Sequence, residues 1–109
     1  MAYRFGDVLL VPITFSDSSA QKKRPVLVVR DTGDADLLVV PITSHPPRSF
    51  EDVPLPNWGE AGLRLPSSAR MSKLATVAKS TVIRRLGALA ERDAQSAREI
   101  LRQFFQGIF

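Results

Sequence analysis

The chain has 109 residues, a formal net charge of +4 and a sequence pI near 10.1. This length suits one domain, assigned to residues 1–109, and excludes two domains with separate cores. The absence of cysteine excludes disulfides and thiolate metal sites, and no apolar run is long enough to span a membrane. The first apolar run, residues 8–13, is short and contains Pro12, so we expect no secretory signal and a cytoplasmic location.

The first half of the sequence predicts three successive strands. The segments GDVLLVPITF, RPVLVVRD and DLLVVPIT are rich in valine and leucine and are separated by polar residues, which is typical of a β-meander. The proline-rich loop that follows tolerates only an edge strand, expected at residues 52–55. Two further strands are predicted in ARMSKLATVA and TVIRRLGAL, around a turn at Lys79 and Ser80, although the periodicity also permits some helix in either segment.

The last segment predicts an amphipathic helix that begins after Ala90. Its apolar residues keep the spacing of one helical face: Ala94, Ala97, Ile100, Leu101, Phe104 and Phe105. Glu91 and Asp93 suit the first turn, but no residue that usually caps a helix precedes them. We assign Phe104 and Phe105 to the core or to a dimer interface. Many short strands and one C-terminal helix predict a mainly β fold, a small and strongly curved barrel closed by the helix.

Positive charge is concentrated in two parts of the sequence. Residues 61–90 contain no Asp or Glu and six cations: Arg64, Arg70, Lys73, Lys79, Arg84 and Arg85. The cluster KKRP places Lys22, Lys23 and Arg24 directly before the second strand. A basic surface indicates an anionic partner, with nucleic acid first, although a solvated basic face without function would give the same composition.

Several of these blocks, in this order, resemble the MazF/PemK family of toxins. The similar segments are FGDVLLVPITFSDSSAQKKRPVLVVRD, VVPITS and GLRLPSSARMSKLATVAKSTVIRRLGALAERDAQSAREILRQFF, so the resemblance covers nearly the whole chain. It implies an SH3-like barrel, a homodimer, and metal-independent cleavage of single-stranded RNA through attack of a ribose 2′-hydroxyl on the adjacent phosphate. It also implies an antitoxin partner whose acidic, partly disordered tail covers the RNA groove.

Arg24 and Thr43 are the predicted catalytic residues. The reaction needs a group that stabilises the negative charge of the phosphorane, one that accepts the attacking proton and one that protonates the leaving oxygen. Arg24 suits the first task, because a guanidinium offers phosphate oxygens a planar fork of donors and Pro25 fixes the backbone beside it. The alternative is a strand-end arginine that only solvates the rim. The resemblance places Thr43 beside Arg24, and the Thr43 and Ser44 hydroxyls either contact phosphate or complete a turn before HPP.

The proton-transfer residues are where this sequence departs from the family. Some members have an Asp that serves as a base two residues after the position of Arg70, but here that position is Ser72, which cannot act as a base at neutral pH. Asp17 is the nearest carboxylate in the loop before KKRP, but an Asp between serines in a turn is more often a loop-forming residue. His45, the only imidazole, suits proton transfer but follows PITS in a predicted loop. These three are candidates for catalytic support, together with Ser44 and Arg70.

RNA binding is assigned to cations and to aromatic residues near loops. The candidates are Lys22, Lys23, Arg70, Lys73, Lys79, Phe15 and Trp58. The two aromatic side chains either stack on bases or pack against the core. No metal or cofactor is expected, because a single His without Cys and without spaced acids does not form a metal site.

Two other functions remain open. The resemblance extends to gyrase-poisoning toxins of the same fold, which act without nuclease activity through a carboxyl-terminal segment ending near Gly-Ile, and this chain ends in QGIF. Ser72 leaves open a catalytically degenerate family member. The combination of KKRP and PITS favours the ribonuclease, a sequence-selective toxin that would inhibit growth by cutting mRNA.

Overall fold

The structure is a computed structural model that describes residues 2–14 and 21–109. Within these ranges the chain forms seven strands, a short 3-10 helix and one α-helix. The elements are β1 (Asp7–Thr14), β2 (Gln21–Asp31), β3 (Asp36–Thr43), β4 (Asp52–Pro54), β5 (Ser68–Arg70), β6 (Ala75–Ala78), the 3-10 helix (Lys79–Thr81), β7 (Arg84–Ala88) and α1 (Glu91–Gln106). The predicted mainly β fold with a C-terminal helix is confirmed.

The three predicted successive strands form the centre of the sheet. β1 pairs antiparallel with β2, and β2 pairs antiparallel with β3, with Leu9 opposite Val26 and Leu27 opposite Val40. Successive residues of these strands are buried because both faces of the sheet carry core. Leu27 and Val40 belong to one hydrophobic cluster, whereas Leu9 and Val26 belong to another. The continuous valine and leucine runs therefore reflect a sheet covered on both sides.

The sheet is open in the described part of the chain, whereas the sequence predicted a curved barrel closed by the helix. The strand order is β4-β5-β3-β2-β1-β7, with β6 paired to β3 beside this path, so β4 and β7 stand at opposite ends. β4 confirms the predicted edge strand but has only three residues, and Pro54 cannot donate a ladder hydrogen bond. α1 covers this end instead, because Ala94 and Ala97 join Val53 and Leu55 in one core cluster.

The predicted strand in ARMSKLATVA is divided into β5 and β6. β5 pairs with the end of β3 and β6 with its beginning, so the two short strands follow one another along β3. A turn interrupts them, in which the Lys73 N–H donates to the Arg70 carbonyl oxygen at 3.1 Å. Met71 is fully buried and anchors this turn in the core. The interruption makes Arg70 the last residue of β5 and places Lys73 in the turn that follows.

The C-terminal helix follows its sequence prediction closely. It begins at Glu91, and Ala90 before it makes no side-chain capping hydrogen bond. Ala94 and Ala97 are buried, whereas Phe105 is 37% exposed and contacts the Phe104 ring edge-to-face. The described residues contain no helix that combines the length and the apolar character needed to cross a membrane.

The loop between β4 and β5 is held at three places. The Leu55 N–H donates to the Ser67 carbonyl oxygen at 3.0 Å, which joins the two ends of the loop. The Asn57 N–H donates to the carboxylate of Asp93, a buried residue in the first turn of α1, at 2.9 Å. Gly62 lies directly against the backbone of Leu86 in β7. These anchors fix the path of a loop that has little regular structure of its own.

Candidate nucleic-acid interface

A groove with a cavity volume of about 770 Å³ runs across β1, β2, β3 and the loop before β5. Its polar lining comes from several elements and consists of Arg24, Thr43, Ser44, His45, Arg64, Ser67, Arg70 and Lys73. Its apolar lining consists of Pro12, Ile13, Pro25, Val26, Val39, Pro41, Ile42, Leu63, Leu65, Ala75 and Val77. Among the described residues of the lining, four are Arg or Lys and none is Asp or Glu.

Arg24 and Thr43 reach the groove from neighbouring strands. Arg24 lies in β2 opposite Val11 of β1, and its side chain is exposed. Thr43 is the last residue of β3 and lies opposite Ser68 of β5. Because β2 and β3 are adjacent and antiparallel, the start of one and the end of the other meet at the same side of the sheet. The two residues singled out as catalytic from the sequence therefore line one groove.

The Thr43 hydroxyl also has a structural role. Its Oγ1 accepts a hydrogen bond from the His45 N–H at 3.1 Å, which closes the turn after β3. A threonine hydroxyl both accepts and donates, so this bond still leaves the hydroxyl hydrogen to donate to an anion. The turn also brings Ser44 and His45, both exposed, into the groove lining. Turn formation and a contact to phosphate are thus compatible at this position.

Arg70 is held by a buried carboxylate. Its Nε lies 3.5 Å from Oδ1 of Asp52, which faces it across the β4–β5 pair. The Asp52 side chain is only 4% exposed, whereas that of Arg70 is 30% exposed and reaches the groove. Oδ2 of the same carboxylate accepts the Arg48 N–H at 3.0 Å. This ion pair places Arg70 beside a buried carboxylate that the backbone also binds, while Arg70 itself lines the groove.

Other residues predicted from the sequence lie away from the groove lining. Lys22 and Lys23 are exposed on β2 beside Arg24, and Ser72 is half-buried in the turn between Arg70 and Lys73. Trp58 packs against the core cluster beneath the loop, in the position expected for ordinary packing. Phe15 and Asp17 lie outside the described residues.

Lys79 is engaged elsewhere in the fold. Its Nζ lies 2.8 Å from Oδ1 of Asp31, at the end of β2, and the Lys79 residue is not part of the groove lining. The hydrogen bond from this ammonium, followed by bonds from the N–H groups of Tyr3 and Gly33, lowers the pKa of Asp31 to about 2. The structure thus gives Lys79 a partner in the fold and does not bring it together with Arg24.

Arg64 and Leu65 also line the groove, although neither was predicted from the sequence as a site residue. Both lie in the anchored loop before β5, and Leu65 is 57% exposed despite its apolar side chain. Arg64 falls inside the acid-free stretch of residues 61–90, which was the available signal. Leu65 carried none, because only the folded path of the loop places it over the groove. Within the described ranges, no group of three or more His, Cys, Asp or Glu is placed to hold a metal ion.

Fold and groove together define the class of protein: a small, mainly β domain with a C-terminal helix and a groove lined by cations. The family model for PemK-like, MazF-like toxins of type II toxin–antitoxin systems matches residues 4–105. The chain belongs to this family.

Solved structures of the same fold include several toxins of this kind. The chain resembles Mycobacterium tuberculosis toxin MazF-mt6 with a TM-score of 0.74 and 21% identity, over 92% of this chain and 96% of that chain. It resembles a mycobacterial endoribonuclease in complex with its cognate antitoxin with a TM-score of 0.74 and 16% identity, over 96% of each chain. A MazE–MazF structure from Deinococcus radiodurans also gives a TM-score of 0.74, at 16% identity over 94% of each chain. A comparison with curated protein sequences finds no significant match.

Proposed function

We propose that this toxin is an endoribonuclease that cleaves single-stranded RNA, including mRNA, and so inhibits growth. The observation that carries the proposal is the groove in which Arg24 and Thr43 lie together with Arg64, Arg70 and Lys73. A cationic groove without carboxylates in its described lining attracts the phosphate backbone, and apolar side chains on its floor offer surfaces to unpaired bases. The name of one structural relative, an endoribonuclease, agrees with this assignment. An mRNA substrate would place the protein in the cytoplasm.

The proposed chemistry is attack of a ribose 2′-hydroxyl on the adjacent phosphate. The new oxygen–phosphorus bond forms as the bond to the 5′-oxygen of the next nucleotide breaks, which gives a 2′,3′-cyclic phosphate and a 5′-hydroxyl. The attacking hydroxyl loses a proton and the leaving oxygen gains one, so no metal ion or water is required for this step. Arg24 would stabilise the additional negative charge of the phosphorane, and the Thr43 hydroxyl would donate to a phosphate oxygen.

Proton transfer is best assigned to His45 among the described candidates. His45 is exposed and lines the groove, whereas Ser72 is half-buried outside the groove lining. An imidazole can accept and donate a proton near neutral pH, which a serine hydroxyl cannot do. Ser44, next to His45, would support binding of the same phosphate.

The experiment that tests the proposal is incubation of the pure protein with a long single-stranded RNA in excess EDTA. We expect fragments that carry 5′-hydroxyl and 2′,3′-cyclic phosphate ends, and we expect Arg24→Ala protein, purified in the same way, to produce few of them. Intact RNA, fragments with 5′-phosphate ends, or cleavage only after addition of a divalent metal would overturn the proposal.

The proposed partners are an antitoxin and a second copy of the chain. Two structural relatives were solved with an antitoxin, one of them described as cognate. A cationic groove is silenced most directly by an acidic, partly disordered tail that folds on it. We therefore expect the tail of the cognate antitoxin to displace a fluorescent, non-cleavable oligonucleotide in an anisotropy titration. Simultaneous tight binding of the antitoxin tail and the oligonucleotide would contradict a shared groove.

The second proposed partner is another copy of this chain. The family resemblance implies a homodimer, and light scattering of the pure protein tests it.

A further inference from the structure

We infer that Asp52 is a positioning residue that holds Arg70 in the orientation needed to contact RNA in the groove. This inference rests on the proposed function, because an oriented Arg70 affects cleavage only if it contacts RNA. Asp52 itself is buried and is absent from the groove lining. Its influence on RNA must therefore pass through Arg70.

The first support is the geometry of the carboxylate. Asp52 lies opposite Arg70 in the β4–β5 pair, and its two oxygens have different partners. Oδ1 faces Arg70 Nε at 3.5 Å, and Oδ2 accepts the Arg48 N–H at 3.0 Å. The backbone of Asp52 is also held, since its N–H donates to the Ser49 carbonyl oxygen at 3.1 Å. The carboxylate is thus a fixed reference point for a long, otherwise adaptable side chain.

The second support is the difference in exposure between the partners. The Asp52 side chain is 4% exposed and that of Arg70 is 30% exposed. A buried carboxylate needs a charged or hydrogen-bonding partner, so the pair is favoured inside the fold and does not behave like a surface ion pair. Arg70 pairs with this carboxylate through Nε, and the same partly exposed side chain lines the groove. An arginine held in this way loses less side-chain freedom when it binds a phosphate.

The same carboxylate has an opposing effect on affinity. A negative charge beside Arg70 weakens its long-range attraction to phosphate, so the carboxylate that orients Arg70 also lowers its affinity for RNA. Removal of this charge should therefore change the cleavage rate and the affinity in different ways. We expect Asp52→Asn to lower the cleavage rate at saturating RNA by about tenfold, since small misplacements of positioned groups are costly. We expect its affinity for a non-cleavable oligonucleotide to stay the same or to increase. A purely structural defect would weaken both.

The chain offers a matched control in Asp7. Oδ2 of Asp7 accepts the Arg4 N–H at 2.9 Å, and its Oδ1 accepts hydrogen bonds from Nε and Nη2 of Arg85, both at 3.2 Å, so this carboxylate, like that of Asp52, joins a backbone N–H to an arginine. The Asp7 side chain is 12% exposed, and neither Asp7 nor Arg85 belongs to the groove lining. Asp7→Asn should therefore leave the cleavage rate at saturating RNA unchanged while it removes a similar ion pair.

The deciding experiment combines these variants with Arg70→Lys and with NMR of the arginine Nε–H groups. In Asp52→Asn the Arg70 signal should lose order while the Arg85 signal stays as in the wild type, and Asp7→Asn should show the reverse. Asp52→Asn should cause little further loss of rate in the Arg70→Lys background, because Asp52 acts through Arg70. An unchanged Arg70 signal in Asp52→Asn, or an equal loss of rate in both backgrounds, would overturn the inference.

The test also covers two other cases, an Asp52→Asn variant that does not fold and a wild type that does not cleave RNA. If Asp52→Asn does not fold, Arg70→Lys alone tests the geometry, because lysine keeps a cation but lacks Nε. A rate at saturating RNA equal to that of the wild type would then overturn the inference, whereas a loss of about tenfold with nearly unchanged affinity would support it. If the wild type does not cleave RNA, the proposed function fails, and the NMR comparison still decides whether Asp52 holds Arg70.

Discussion

Arg24 is the residue on which the proposed chemistry depends most. It stands at the start of the apolar part of β2, followed by Pro25, and both residues line the groove. Pro25 fixes the backbone next to it, and the core residues Val26 and Leu27 hold the strand in place. The position combines an exposed guanidinium with a rigid support, which is what stabilisation of a transition state requires.

The first prediction concerns the separation of binding from chemistry at Arg24. Arg24→Ala should lower the cleavage rate at saturating RNA by about 100-fold or more, while affinity for a non-cleavable oligonucleotide falls much less. Arg24→Lys should restore little, because a point charge does not reproduce the paired donors. Thr43→Ala should show a smaller loss of the same kind. Single-turnover rates and anisotropy measure the two quantities, and a full cleavage rate in Arg24→Ala would refute the assignment.

The second prediction concerns pH and Asp31. Its pKa is lowered from 3.8 to about 2, first by the Lys79 ammonium and then by the N–H groups of Tyr3 and Gly33. A carboxylate with a lowered folded-state pKa stabilises the fold above its unfolded pKa and loses that contribution as pH falls through the folded value. The free energy of unfolding of the wild type should therefore decrease between about pH 4 and pH 2 more steeply than that of Asp31→Asn. Urea titrations over this pH range measure the free energy of unfolding. The same pH dependence in the wild type and in Asp31→Asn would contradict the prediction.

At the scale of elements, β3 organises the groove. One of its neighbours is β2, which carries Arg24, and its own last residue is Thr43. β6 and β5 pair with it in succession, and both Arg70, the last residue of β5, and Lys73, in the turn between the two strands, line the groove. Three segments far apart in the sequence therefore deliver their polar side chains to one place because each pairs with the same strand or its neighbour.

The third prediction concerns the loop that carries Arg64 and Leu65. Gly62 has a φ of +82°, and a Cβ there would lie 2.1 Å from the Leu86 carbonyl oxygen, so Gly62→Ala combines backbone strain with a clash. Gly33 has a φ of +87° with nothing within 4 Å, so Gly33→Ala carries the strain alone. We expect a loss of about 1 kcal/mol for Gly33→Ala and at least twice that for Gly62→Ala in urea unfolding. Oligonucleotide affinity should fall only in Gly62→Ala. Equal losses of unfolding free energy in the two variants would contradict the predicted clash between residue 62 and Leu86.

The elements differ in how far the sequence predicts them. β1, β2, β3 and α1 follow from continuous apolar runs, from turn residues and from helical spacing, all of which are local signals. The break between β5 and β6 was not predicted, because the residues from Met71 to Leu74 include no Gly, Pro or Asn, and burial of Met71 is decided by tertiary packing. The open sheet was not predicted for a related reason. Whether end strands join depends on the length of β4 and on the position of α1, not on the pattern of any one strand.

The groove residues, like the strands, were predicted where a short segment of sequence was enough and were missed where their position depends on the tertiary fold. Arg24 and Thr43 were predicted because each lies in a short segment with a family resemblance. The pairing of Lys79 with Asp31 and of Arg70 with Asp52 could not be predicted, since both partners are distant in the sequence and meet only through strand pairing and the turns of the fold. Leu65 was missed because exposure of an apolar side chain depends on the path of the loop.

At the scale of the whole molecule, the net charge of +4 is distributed unevenly. Four cations line the groove, whereas Asp7, Asp31 and Asp52 each accept a backbone N–H and pair with a cation. The carboxylates of the sheet thus serve the fold, and the four groove cations lie together where a polyanion would bind.

The fourth prediction follows from this distribution. Affinity for a single-stranded oligonucleotide should fall with salt with a slope of about −0.7 for each phosphate contacted, so four groove cations give a slope of about −3. Lys73→Ala should reduce its magnitude by about 0.7, whereas Lys79→Gln should not change it, because Lys79 is held by Asp31 outside the groove. Anisotropy at several salt concentrations measures the slope. Independence from salt would contradict a groove that follows the phosphate backbone.

The central claim, that the groove promotes attack by a ribose 2′-hydroxyl, is tested most directly by one substrate change. An RNA that the protein cleaves at a known bond is resynthesised with deoxyribose at the single position 5′ of that bond, and single-turnover cleavage of the two substrates is compared. Because the attacking hydroxyl is absent, we predict that cleavage at this bond stops while affinity is nearly unchanged. Cleavage of the deoxy-substituted RNA at the same bond and at a comparable rate would contradict the claim.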